Sequence, residues 1–135
     1  MNKNFINGQW LDAESGNTYP VLNPATEGVI TVVPFGDATD AHAAIDAAAA
    51  AFPTWKAMNP WNRADILKKT ADLMRSRAKE LGAITTAEAG KPTAEAVGEW
   101  VVAAQFFEWF AEEGKRAYGR TIATSRNNKI GRAHV

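Results

Sequence analysis

The chain has 135 residues, 46% hydrophobic and 22% charged, which is the composition of an ordinary globular protein and the length of one domain. Its 15 basic and 15 acidic side chains give no formal net charge, which argues against nucleic acid or an anionic membrane surface as a partner. The absence of cysteine excludes a disulfide framework, a thiolate metal site and a cysteine nucleophile within these residues.

The amino-terminal residues predict neither a leader nor a membrane anchor. The apolar part of residues 1–10 is too short for a signal peptide, and no stretch approaches the roughly 18 apolar residues of a membrane span. We therefore expect a cytoplasmic protein without a membrane partner.

The first part of the chain predicts strands. Asn7 and Gly8 stand between two short apolar stretches and predict a tight hairpin, because both residues tolerate positive φ. Residues 19–22 and 29–33 are rich in β-branched side chains and flank the turn formers 23–28, which predicts a second antiparallel pair. We expect these strands to form an antiparallel meander that covers another layer.

A first helix follows the strands. Asp37 or Thr39 can cap its start through a side-chain oxygen, and we expect the helix to end at Phe52, before Pro53. Its five consecutive alanines, 47–51, favour close packing against another element.

Two shorter helices come next. Asn59 and Pro60 predict the start of the second helix, and Gly90 the end of a third helix over 77–89. The apolar side chains of the second helix step by three and four residues along one face: Ala64, Leu67, Ala71 and Met74. We expect Lys91 to cap the last carbonyl groups of the third helix.

The last helix, predicted over 93–118, is almost entirely apolar at its centre. Nine of the eleven residues 100–110 are apolar, so no polar stripe remains there to face water. The segment is too short to span a membrane and requires a covering layer or a partner. Gly119 is expected to close this helix, and 120–124 to begin a strand without a partner.

The familiar catalytic and binding motifs are missing from the sequence. There is no Walker-type loop, no GxGxxG, no HExxH, no GxSxG and no cluster of cysteine or histidine. Glu88, Glu95 and Glu99 lie on helices that could converge, but solvated or ion-paired glutamates explain them without an acid–base pair. His42 has no second metal ligand at a suitable spacing and is interpreted as a structural or surface histidine.

Several short segments keep a characteristic order and spacing along the chain. They are residues 5–10, 23–26, 88–92, 95–99 and 118–122. Together they resemble the amino-terminal portion of the NAD(P)-dependent aldehyde dehydrogenase superfamily, and residues 107–116 are similar to its succinate-semialdehyde dehydrogenase branch. The resemblance covers about residues 4–129.

The resemblance implies an incomplete α/β fold, in which an antiparallel meander is followed by packed helices. Residues 1–119 would form the amino-terminal portion of the coenzyme-binding domain, and 120–129 would start the strand of an oligomerisation arm. Residues 130–135 depart from the family pattern and are expected to be a non-native tail. The DNA stretch ATCGGAAGAGCACACGTC of a common sequencing adapter encodes these six residues.

The resemblance also implies an activity for the parent protein. Family members oxidise an aldehyde through a thiohemiacetal on a cysteine, pass hydride to NAD or NADP, and release the acid with a glutamate-activated water. These groups and the cofactor-binding motif lie beyond residue 135 in the family pattern, so the chain contains no assigned catalytic or cofactor-binding residue. We expect it to be inactive alone, and its parent to be a homodimer or homotetramer that oxidises a small aldehyde, succinate semialdehyde.

Two minor sites are carried over by resemblance. Relatives bind a structural monovalent cation through oxygens at the positions of Val21, Leu22 and Glu88, although many relatives have Asp where this chain has Glu88. The long helix lines the aldehyde tunnel of relatives, at positions matching Gly98, Val102 and Phe106. Core packing alone explains the last three residues almost as well.

The sequence leaves other functions open. The chain could be a short non-enzymatic binding or structural module that uses the aromatic helix 93–118 to pair with a partner or with itself. An acyl-CoA-forming relative of the same superfamily would differ only in regions outside this chain.

Overall fold

The structure, a computed structural model, describes residues 2–123 and 130–133, and within them it contains six strands and four helices. Strands β1 (Asn4–Ile6) and β2 (Gln9–Leu11) pair antiparallel around the predicted turn. Asn7 and Gly8 adopt φ values of 51° and 77°. Two successive residues at positive φ match the twist of a tight hairpin, so this prediction is confirmed.

The second hairpin consists of β3 (Thr18–Leu22) and β4 (Val29–Pro34). Its register is regular as far as the pair Val21 and Thr31, after which Leu22 pairs with Val29. The extra residue, Ile30, makes a β-bulge at the end of the ribbon. The first four strands pair two by two, and the helices follow them, as predicted for the α/β fold.

Helix α1 (Ala38–Ala57) begins with a reciprocal capping box. The Asp37 carboxylate accepts from the N–H of Thr39 at 2.8 Å, and the Asp40 carboxylate accepts from the N–H of Asp37 at 3.0 Å. None of its residues is fully buried. The alanine face of α1 instead borders an open groove beside β1 and the Asn7–Gly8 turn.

The expected end of α1 at Phe52 is wrong, because the helix continues through Pro53 to Ala57. Proline removes one backbone donor from the helix. Hydrogen bonds from the backbone of Met58 and from the Arg63 side chain stabilise the last turn. The N–H of Met58 donates to Thr54 O at 3.1 Å, and the Arg63 guanidinium donates to Met58 O at 2.6 Å. An arginine from the next helix thus satisfies carbonyl oxygens at the end of α1.

Helices α2 (Pro60–Ser76), α3 (Ala78–Ala89) and α4 (Thr93–Gly114) form a bundle in which α4 packs against both others. Gly90 ends α3 at a φ of 69°, as predicted. The expected end of α4 near Tyr118 is four residues too late. The N–H groups of Lys115 and Arg116 donate three residues back, and this tightened turn closes the helix.

Over residues 2–119, the buried positions are Gly82 and seven alanines: Ala13, Ala64, Ala71, Ala78, Ala96, Ala104 and Ala111. Alanines on both α2 and α4 let the two backbones approach closely, but each buries little apolar area. No large side chain of the described residues is fully buried. The predicted core positions Leu67 and Met74 are only half-buried.

The last strands form a third hairpin. Strand β5 (Arg120–Ala123) pairs antiparallel with β6 (Ile130–Ala133). The expectation of a strand without a partner after Gly119 is therefore wrong, because residues 130–133 supply the second strand. The predicted strand residue 124 lies outside the described residues.

Candidate functional site

An open groove of about 420 Å³ runs along the exposed face of α4. It is lined by five side chains: Val102, Gln105, Phe106, Trp109 and Phe110. Phe106, Trp109 and Phe110 are 61%, 63% and 60% exposed. Since these three rings project from a helix toward solvent, they form a contiguous apolar surface, which we call the aromatic face.

The aromatic face brings together only part of the predicted tunnel set. Val102 and Phe106 line the groove, whereas Gly98 lies one turn before it and is exposed. A Cβ atom built on Gly98 would meet no atom within 4 Å. Gly98 therefore serves no close packing among the described residues.

Sequence reasoning missed Gln105, Trp109 and Phe110 as members of this groove. The helical period would have identified them, because positions three, seven and eight residues after Val102 share its face. The resemblance gave only Gly98, Val102 and Phe106, which are four residues apart. An apolar helix face also includes positions three residues apart, and these were left out.

The orientation of α4 is set by its opposite side. Trp100 Nε1 donates to Thr85 Oγ1 on α3 at 3.1 Å, and Glu108 forms an ion pair with Arg75 on α2. Ala104 and Ala111 are buried on that side. These contacts turn the aromatic face away from the bundle.

A second cavity, of about 290 Å³, lies between α3 and the second hairpin. Val21 and Glu88, two of the predicted cation ligands, both line it, together with the bulge residues Ile30 and Thr31. Leu22 is 48% exposed and is not part of the lining. The structure thus brings two of the three predicted residues to one cavity, at the point where the strand ladder is irregular.

Pro24, in the turn of the second hairpin, lies against Gly90 at the end of α3. A Cβ atom built on Gly90 would lie 2.8 Å from Pro24 Cγ, so only glycine fits there without a shift. The positive φ of Gly90 favours glycine for a second reason. The contact fixes the end of α3, and with it Glu88, against the turn of the second hairpin.

Lys91 does not cap α3 as expected. Its ammonium forms an ion pair with Glu99 on α4, while the N–H of Gly90 bonds to Thr86 O at 3.0 Å. The interpretation of Glu99 as an ion-paired glutamate is confirmed. The pair joins the turn between the two helices to the first part of α4.

The carboxylate of Glu112 lies between two lysines at the far end of the bundle. Hydrogen bonds from Lys68 and Lys115 hold the Glu112 pKa below its usual value. The Glu112 carboxylate in turn raises the pKa of Lys68. The Lys115 ammonium also lies 4.5 Å from the centre of the Trp61 ring. At the start of α3, the Arg77 guanidinium donates to both oxygens of the Glu80 carboxylate, and these bonds lower the pKa of Glu80.

The helix starts in the described part of the chain carry acidic side chains or proline. Carboxylates occupy the first turns of α1, α3 and α4, at Asp40, Glu80 and Glu95, where they would repel a pyrophosphate. Helix α2 begins at Pro60, which has no N–H to donate. Over the same residues, no group of three or more His, Cys, Asp or Glu side chains is placed to hold a metal ion.

No helix in the described part of the chain combines the length and apolarity that crossing a membrane would require.

The sequence model of the aldehyde dehydrogenase family matches residues 10–134. The succinate-semialdehyde dehydrogenase (NADP+) of Escherichia coli is 48% identical over 125 residues, which are 93% of this chain and 26% of that protein. A glutarate-semialdehyde dehydrogenase of Pseudomonas putida is 46% identical over the same share of both.

Solved structures agree with this similarity. A crystal structure of an E. coli NADP-dependent enzyme matches 96% of this chain and 27% of its own, with a TM-score of 0.91 and 46% identity. The crystal structure of succinate-semialdehyde dehydrogenase from Burkholderia pseudomallei gives a TM-score of 0.90 at 42% identity over the same shares. The chain spans about a quarter of the length of the proteins it matches.

Proposed function

Because the chain belongs to the aldehyde dehydrogenase family, we propose that it is the amino-terminal portion of an enzyme that oxidises succinate semialdehyde to the acid with NAD or NADP. The observation that carries this proposal is the match over residues 10–134, joined to relatives that are named for semialdehyde substrates. The exposed aromatic face supports it, since an apolar surface of this kind is expected to be covered by further polypeptide.

The groove on α4 would form one wall of the aldehyde tunnel, with Gly98, Val102 and Phe106 along it. Apolar side chains there would exclude water and hold the hydrocarbon part of the substrate. Among the side chains that line the groove, Gln105 carries an amide and none carries a charge. The carboxylate of a semialdehyde would therefore be bound by residues outside this groove.

The cavity between α3 and the second hairpin would hold a monovalent cation. Val21 and Leu22 would contribute backbone carbonyl oxygens, and Glu88 a carboxylate oxygen, which are the hard ligands that such cations prefer. The bulge at Ile30 supports this arrangement, because a bulge leaves backbone groups without ladder partners. A cation there would tie the hairpin to the end of α3.

The bound nicotinamide would supply the hydride acceptor for the oxidation. The acidic helix starts of the described residues do not favour its phosphates, and the sequence has no cysteine, so the dinucleotide site and the nucleophile would come from polypeptide outside this chain. The family resemblance implies the same for the glutamate that activates water. We therefore expect the 135-residue chain to be inactive alone. Three further points stay predictions. They are the division of the chain into 1–119, 120–129 and 130–135, the homodimeric or homotetrameric state of the parent, and its cytoplasmic location.

The test is to express the complete reading frame around this sequence and, separately, the 135-residue chain. We expect the complete protein to reduce NAD or NADP with succinate semialdehyde, and the 135-residue chain to show no turnover. A complete protein that oxidises none of the semialdehydes would contradict the proposal. The same nucleotides show whether the codons of residues 130–135 are genomic or derive from an adapter.

The alternative function is a non-enzymatic module that uses the aromatic face to bind a partner. Its supporting observation is the same exposed groove, which could seat an apolar helix. A natural stop codon after residue 135, together with a chain that stays monomeric and in solution, would favour the module over the enzyme.

A further inference from the structure

We draw no further inference here: the strongest candidate, the exposed groove on α4 between Val102 and Phe110, belongs to the site already described, and nothing in the described part of the chain shows what else would cover it.

Discussion

Gly82 on α3 lies directly against the backbone of Val97 on α4. A Cβ atom at Gly82 would be 2.6 Å from Val97 Cγ2 and 2.9 Å from Val97 N. Because one of these atoms belongs to the helix backbone, no side-chain rotation could make room. The close approach of α3 and α4 therefore requires glycine at this position.

Gly82→Ala should lower the free energy of unfolding by about 1–3 kcal/mol, because an extra methyl group in a packed contact forces the two helices apart. Gly98→Ala is the matched control, since a Cβ atom there meets nothing within 4 Å. The control should be neutral or stabilising by up to about 1 kcal/mol, from the helix propensity of alanine alone. Urea unfolding followed by circular dichroism measures both variants, and equal effects would contradict the packing argument.

Gly90→Ala should be more destabilising than Gly16→Ala. Both glycines have positive φ, at 69° and 71°, so each substitution carries a backbone cost of about 1–2 kcal/mol. Only Gly90 has a neighbour at its Cβ position, the ring of Pro24, which should add about 1–3 kcal/mol.

A double-mutant cycle with Pro24→Ala isolates the Gly90 contact. Without the Pro24 ring, Gly90→Ala should lose the part of its destabilisation that comes from the steric contact. The part that comes from the backbone conformation should stay unchanged. If the cost of Gly90→Ala is the same with and without Pro24, the turn of the second hairpin does not position the end of α3.

The isolated chain should associate with itself through the aromatic face. Trp109→Gln should raise the dissociation constant of this association by about 5- to 30-fold, because loss of an aromatic side chain at the centre of an interface costs about 1–2 kcal/mol. Trp10→Gln is the control, since Trp10 is also exposed but lies on the first hairpin. Light scattering across a concentration series measures both, and an equal effect of the two changes would show that association does not depend on α4.

The bundle should lose stability in acid through Glu112. Its pKa is lower in the folded chain than its usual value of about 4.3, so its contribution is present above that pH and is lost as the pH falls through the folded pKa. Glu112→Gln should flatten the dependence of the urea midpoint on pH in this acid range.

Lys68→Met provides the matched test for the acid range. Without the Lys68 ammonium, the Glu112 pKa should rise part of the way toward its usual value, and the pH dependence should become partly flatter, because Lys115 still holds the carboxylate. An unchanged slope in both variants would show that the ion pairs at this end of the bundle do not contribute to the acid response.

Several features of this protein follow from the sequence because they depend on neighbouring residues. The Asn7–Gly8 turn, the cap at Asp37 and the end of α3 at Gly90 each reflect the φ preference or the side-chain oxygen of a residue at that position. The ordered segments of the family also lie within the printed residues, and they were sufficient to predict the aldehyde dehydrogenase family.

Tertiary structure decided the features that depend on distant partners. Arg63 of α2 donates to carbonyl oxygens at the end of α1, beyond Pro53. Lys91 pairs with Glu99 on α4 instead of capping the last carbonyl groups of α3. The strand at Arg120–Ala123 pairs with Ile130–Ala133, and Glu88 of α3 lines the same cavity as Val21 of the second hairpin, beside the approach of Gly90 to Pro24. Local preferences act over a few residues along the backbone, whereas these contacts exist only once separate elements have packed together.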